Sequence, residues 1–94
     1  MRKADLVNEI ANKTGVEKKT IEQVIESFMD SVKETLIGGE NVYLRGFGSF
    51  IVKKRAQKKA RNISKNTEII IPEHYIPVFR PSKKVVDRVK ENVK

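Results

Sequence analysis

Apolar residues recur along the first third of the chain with a helical period. Leu6, Val7, Ile10 and Ala11 fall at i, i+1, i+4 and i+5, with Asp5, Glu9 and Asn12 off the stripe, which predicts a helix from Lys3 to about Lys13. Thr14-Gly15 closes it, glycine standing where left-handed backbone is wanted. A longer helix is predicted from about Glu17 to Ile37, because Ile21, Val24, Ile25, Phe28, Met29, Val32 and Leu36 keep a three-and-four spacing until Gly38-Gly39 stops it. All of these apolar side chains are expected in the core, and Glu17 is a poor N-cap where Ser, Asp or Thr would serve better.

Beyond the glycines the period shortens to two. Asn41 to Arg45 alternates as a strand, Gly46-Phe47-Gly48 turns, and Ser49-Phe50-Ile51-Val52 leads away. Glu68-Ile69-Ile70-Ile71 is a second β-favouring run, so the polar stretch between the two reads as the far end of a long two-stranded ribbon. Alternation puts Lys53, Arg55, Gln57, Lys59 and Arg61 on one face of it and Lys54, Ala56, Lys58, Ala60 and Asn62 on the other. Asn62 to Thr67 has turn chemistry in Ser64 and Asn66, with Ile63 the odd apolar member. The return strand is expected from Glu68 to Phe79, interrupted by Pro72 and Pro77. A short helix over 82–92 follows, with Val85, Val86 and Val89 inward and Ser82 as its cap. Lys83 and Lys84 make its N-terminus a seat for phosphate.

Charge changes this picture most. The chain has 94 residues and a formal net charge of +8, and residues 53–66 hold seven Lys or Arg and no acid. Residues 1–52 carry seven basic and eight acidic groups, and residues 67–94 carry six and four, so the ribbon supplies nearly all of the excess. Burying several unpaired cations costs more than a small domain recovers, so this segment is solvated or lies against something negative. A disordered linker does not fit its strand-forming flanks. A membrane surface does not fit the absence of aromatic anchors and of an amphipathic helical period. A helix-turn-helix reader does not fit Glu22, Glu26, Asp30 and Glu34 on the polar face of the second helix. RNA is a poorer partner than DNA, since the arm has no aromatic residue on which bases would stack. No Cys, one His and dispersed acids offer neither a nucleophile and base nor a metal cluster; His74 reads as a solvent-facing ribbon residue. Nucleic acid is therefore the expected partner, with no enzyme activity, cofactor or metal. The absence of Cys and of a signal-peptide or membrane-length apolar run reads as a cytoplasmic protein. Phe47 and Phe50 lie so close together in so small a chain that a core shared by two chains is expected.

With Gly15 between two helices, GFGSF at 46–50, the basic arm, Arg61-Asn62, Ile71-Pro72, Pro77 and Phe79-Arg80-Pro81, the chain resembles the HU/IHF family of bacterial DNA-bending proteins over nearly its whole length; HU and IHF are minor-groove architectural proteins. The resemblance implies one α+β domain: a helical dimer body over 1–38, a three-stranded antiparallel sheet over 41–80 with a long ribbon arm at about 53–76, and a short C-terminal helix, in an intertwined dimer. It implies a histone-like protein of the bacterial nucleoid that binds double-stranded DNA through the minor groove, bends it with little sequence specificity, and prefers bent, nicked or gapped forms. An IHF-like site-specific bender is the alternative, and a heterodimer with a sister subunit is the alternative to a homodimer. Arm contacts would be Lys53, Arg55, Lys58, Lys59, Arg61, Asn62, Ile63 and Lys65. Lys3, Arg80, Lys83 and Lys84 would bind phosphate on the body, and Phe47, Phe50 and Phe79 would form the dimer core. Ile63 stands where the family usually has a wedging proline, and Asn66 where it usually has glycine. Isoleucine is itself among the side chains able to slide between base steps.

Overall fold

A computed structural model describes residues 1–62 and 67–93 of the chain. It falls into two compact units, Met1–Glu34 and Thr35–Lys94.

The first unit is helical. Helix α1 spans Lys3–Thr14, and its start is tied by the Asp5 carboxylate, which accepts the Arg2 backbone N–H at 2.8 Å. Gly15 ends it at φ 74°, its N–H reaching back to the Ala11 carbonyl, as the Thr14-Gly15 stop predicts. Helix α2 spans Lys18–Ile37. Its end is a Schellman arrangement: Gly39 at φ 83° donates to Leu36, and Glu40 donates to Thr35. The expectation that every apolar residue of these helices is core does not hold within one chain. Val7 and Ile21 are buried, Ile10, Ile25 and Val32 are half-buried, and Leu6, Val24, Phe28 and Met29 are exposed, Val24 by 62%. Both helices carry wide apolar stripes, and the described residues of a single copy do not supply enough surface to cover them.

The second unit is built on strands β1 (Val42–Leu44), β2 (Gly48–Arg55), β3 (Lys58–Asn62), β4 (Thr67–Ile71) and β5 (His74–Pro81), and on helix α3 (Lys83–Asn92). They form an antiparallel three-stranded sheet in the order β1-β2-β5 and a two-stranded ribbon, β3-β4. The alternation expected to run unbroken from Lys53 to Asn62 is interrupted. Two residues on each side, Ala56-Gln57 and Pro72-Glu73, separate the pair Arg55↔His74 from the pair Lys58↔Ile71. The register is nevertheless the same on both sides of this break.

The two prolines of the return strand act differently, and strand parity explains why. The Val52 N–H donates to Asn41 Oδ1 at 2.9 Å, on the β1 side of β2. Val52 therefore turns its backbone groups away from β5, and its partner Pro77 is at a position whose N–H would point to the open outer edge. Pro77 costs no ladder bond, and β5 runs through it. Pro72 lies five residues away, at the opposite parity, where an N–H would have to face the partner strand. The ladder stops there.

Candidate nucleic-acid interface

Antiparallel partners share a face, so the register sorts the side chains of the sheet. One face holds Val42, Leu44, Phe50, Val52, Pro77 and Phe79. The other carries Ser49, Ile51, Lys53 and Arg55 from β2 beside Arg80, Val78, Ile76 and His74 from β5. Three of the predicted contact residues, Arg80, Lys53 and Arg55, thus lie on one surface although 25 residues separate Arg55 from Arg80. The spacing from Ser49, the partner of Arg80, to Lys53 is about 13 Å along the strand, and from Lys53 to Arg55 about 7 Å. Lys53 and Arg55 fall within the ~8 Å screening length of physiological salt, so each raises the other's pull on an anion.

Lys54, between them in sequence, points to the opposite face and is engaged by Glu73 at 3.0 Å across the ribbon break. Lys58 and Lys59 continue the cationic strand in β3, both exposed, paired with Ile71 and Ile70. Arg61 and Asn62 pair with Glu68 and Thr67 at the far end of the described ribbon. Ile63 and Lys65 lie outside the described residues. His74, the chain's one histidine, directs Nδ1 to the Pro72 carbonyl at 3.0 Å, with Nδ1–H as donor.

The turn after β1 is held to the start of α3. Gly46 adopts φ 84°, the Phe47 N–H closes the turn on Leu44, and Ser82 fastens the other side. The Ser82 N–H donates to the Phe47 carbonyl at 2.8 Å, and its hydroxyl donates to the Gly46 carbonyl at 3.1 Å while accepting the Val85 N–H at 3.4 Å. One serine therefore caps α3 and positions Lys83 and Lys84 beside the turn. Of the valines expected to face inward, Val85 and Val86 are half-buried, whereas Val89 is exposed. Arg88, not among the residues expected to bind phosphate, lines a shallow depression with Gly46 and Lys84. Its i, i+4 spacing from Lys84 was the available signal.

Gly48 is needed for a different reason from Gly46. A Cβ there would lie 2.5 Å from the Arg80 carbonyl oxygen and 2.8 Å from two ring atoms of Phe79. That absence of a side chain lets Phe79 stack with Phe47 at 5.2 Å and with Phe50 at 4.9 Å between ring centroids. The three predicted core aromatics do form one cluster, yet Phe47 remains 50% exposed and Phe79 is also open to solvent.

In the first unit, Lys3 is bound to Glu26 at 2.8 Å. The hydrogen bond and charge of Glu26, helped by the charge of Glu22, hold the Lys3 ammonium above its ordinary pKa. A phosphate at this site has to compete with, or be shared by, that ion pair.

A sheet with one cationic and one apolar face, extended by a basic ribbon and flanked by a capped basic helix, defines a small α+β protein of the arm-bearing, polyanion-facing class. The family model described as bacterial DNA-binding protein matches residues 1–90. The chain belongs to this family, the HU/IHF family that its motifs resemble. It is 39% identical over 90 residues to the DNA-binding protein HU of Geobacillus stearothermophilus, covering 96% of this chain and 100% of that protein. It is 41% identical over 90 residues to the SPbeta prophage-derived DNA-binding protein HU 2 of Bacillus subtilis, covering 96% and 98%. The fold is similar to that of HU in an Anabaena HU–DNA cocrystal structure, with a TM-score of 0.86, 32% identity and full coverage of both chains.

Proposed function

We propose that two copies of this chain intertwine and bind double-stranded DNA, with the β3-β4 arms in the minor groove, bending and compacting the duplex with little sequence specificity. The observation that carries this reading is the sorting of the sheet into a face with Arg80, Lys53 and Arg55 and a face of apolar side chains. The cationic face continues into the basic strand of the arm. HU relatives and an HU–DNA cocrystal neighbour support DNA as the polyanion.

The apolar side supports the dimer. Leu36, Ile37, Val52, Tyr75 and Pro77 line an open groove of about 770 Å³, and Ile37 and Tyr75 are largely exposed. Contiguous apolar surface of this kind marks an interface. A second identical copy closes it and covers the Phe47–Phe79–Phe50 cluster.

No chemical step is required. Arm and body cations displace condensed counterions, so affinity falls steeply with salt. Contacts to phosphate and sugar fix position without reading bases. Ile63, between β3 and β4 in sequence, is a wedge; opening a base step costs a few kcal/mol and is offset by the contacts that a bent duplex allows. DNA that is already gapped or nicked avoids part of that cost and binds more tightly. This is the working of a nucleoid protein in the bacterial cytoplasm.

The experiment compares end-labelled linear duplex, gapped duplex and RNA duplex of one length at two salt concentrations, reading affinity and end-to-end distance. Tighter, salt-sensitive binding to gapped DNA with shortened ends supports the reading; equal binding of DNA and RNA without shortening overturns it. Ile63→Ala is expected to reduce bending and the preference for gapped DNA while sparing affinity for linear duplex. Equal effects on both substrates would remove the wedge.

A further inference from the structure

We infer that the outer edge of β4 is a self-association site, through which arms of two separate dimers pair β4 against β4 and join two DNA segments. The pairing stands on the ribbon itself; the joining of DNA rests on the DNA-binding reading above.

The two edges of the ribbon differ. In β3 Lys58, Lys59 and Arg61 occur without an acid, whereas β4 holds Glu68 without a cation, and Glu73 just past it is already engaged by Lys54. Phosphates attract the first edge and repel the second. Ile69, Ile70 and Ile71, 45%, 57% and 38% exposed, make the second edge a bare run of β-branched residues, and no third described strand covers it. Edge strands are ordinarily protected by lysine, proline, a bulge or a covering element. Here Pro72 stands just past the strand, and the three isoleucines before it have no such protection.

The geometry selects a second copy of the same strand. Pro72 has no N–H to bond the Gln57 carbonyl, so the end pair Lys58↔Ile71 is itself the hydrogen-bonded one, which turns the backbone groups of Ile69 and Ile71 to β3 and leaves those of Glu68 and Ile70 on the outer edge of β4. An antiparallel pair centred on Ile70 lets the two Ile70 residues exchange both backbone bonds, with Ile69 of each copy opposite Ile71 of the other. The two Ile70 residues then meet directly, with Cβ atoms about 5 Å apart. Glu68 faces Pro72 and Thr67 faces Glu73, so no like charges oppose. The two cationic β3 strands are left three strand spacings apart, about 14 Å, beyond the ~8 Å screening length.

The chain has no cysteine, so Ile70→Cys introduces one reporter thiol per copy. After oxidation of the free protein with diamide, sedimentation is expected to show species of four or more chains. Lys59→Cys, on the opposite strand, is expected to stay at two. Absence of the larger species with Ile70→Cys, or their equal formation by both variants, overturns the pairing. In a second assay, capture of a free duplex by a bead-tethered duplex is expected to fall at least fivefold in Ile70→Gln, with single-duplex affinity changed less than twofold. Equal losses in the two readouts would place Ile70 against DNA and overturn the proposal. Failure of the wild-type protein to bind a single duplex would instead count against the DNA-binding reading, and the oxidation experiment would still report on the pairing.

Discussion

Gly46 and Gly48 flank one phenylalanine and answer to different constraints, which makes them a sharp test of how the sheet is built. In Gly48→Ala the new methyl would start 2.5 Å from the Arg80 carbonyl oxygen and 2.8 Å from Phe79 Cε1 and Cζ, against an optimum of about 3.5–4.0 Å for carbon contacts. All three atoms belong to β5. Relief requires either that β5 move away from β2 or that the Phe79 ring leave its stack with Phe47 and Phe50. Overpacking of this kind costs about 1–3 kcal/mol, and weakening the aromatic pairs adds about 0.5–1.5 kcal/mol. Taking about 2.5 kcal/mol for the sum, and ~4–8 °C per kcal/mol for a domain of this size, Tm falls by roughly 10–20 °C. At Gly46 a Cβ meets nothing within 4 Å, but φ is +84°, so alanine there costs about 1–2 kcal/mol of backbone strain. Asparagine, which tolerates left-handed backbone, should recover part of that at position 46 and nothing at position 48. The assay is thermal unfolding followed by circular dichroism at one fixed protein concentration, because assembly shifts Tm. Gly48→Ala as stable as wild type, or Gly48→Asn more stable than Gly46→Asn, would refute the packing account.

Three further outcomes follow from the site. Arg55→Ala should lower the slope of log affinity against log salt by about one, as expected for loss of one phosphate contact, whereas Lys54→Ala, whose cation is already paired with Glu73, should change it less; equal slopes would contradict the sorting of the two faces. Ser82→Ala should cost about 1 kcal/mol through the lost cap, and faster hydrogen exchange at Val85 would locate that loss at the start of α3. Lys3 binds its proton more tightly when folded than when unfolded, because Glu26 raises its pKa above 10.5. Its contribution is therefore complete below pH 10.5 and is lost as pH rises through the folded value. Lys3→Met should be less stable than wild type at neutral pH, with the gap closing as pH rises through the folded value, and a gap that persists unchanged into that alkaline range would argue against the ion pair.

Much of this protein is legible in one dimension, because the properties concerned are local. A period of three and four makes the helices, glycine at Gly15 and Gly39 ends them, Ser82 caps the last one, and seven cations without an acid cannot be buried wherever the chain carries them. Pairing is not local. The break at Pro72 and the tolerance of Pro77 depend on which edge each missing N–H faces, and that parity comes from the register of β2 with β1 and β5, visible in the Val52 N–H that turns to Asn41, eleven residues upstream. The same register brings Arg80 beside Lys53 and Arg55, turns Lys54 away to Glu73, and leaves the β4 isoleucines bare. An apolar stripe likewise shows that a residue needs a partner surface, but not whether its own chain supplies it. Exposed Val24 and Phe28 answer that only in the tertiary structure, where the available neighbours are counted in three dimensions.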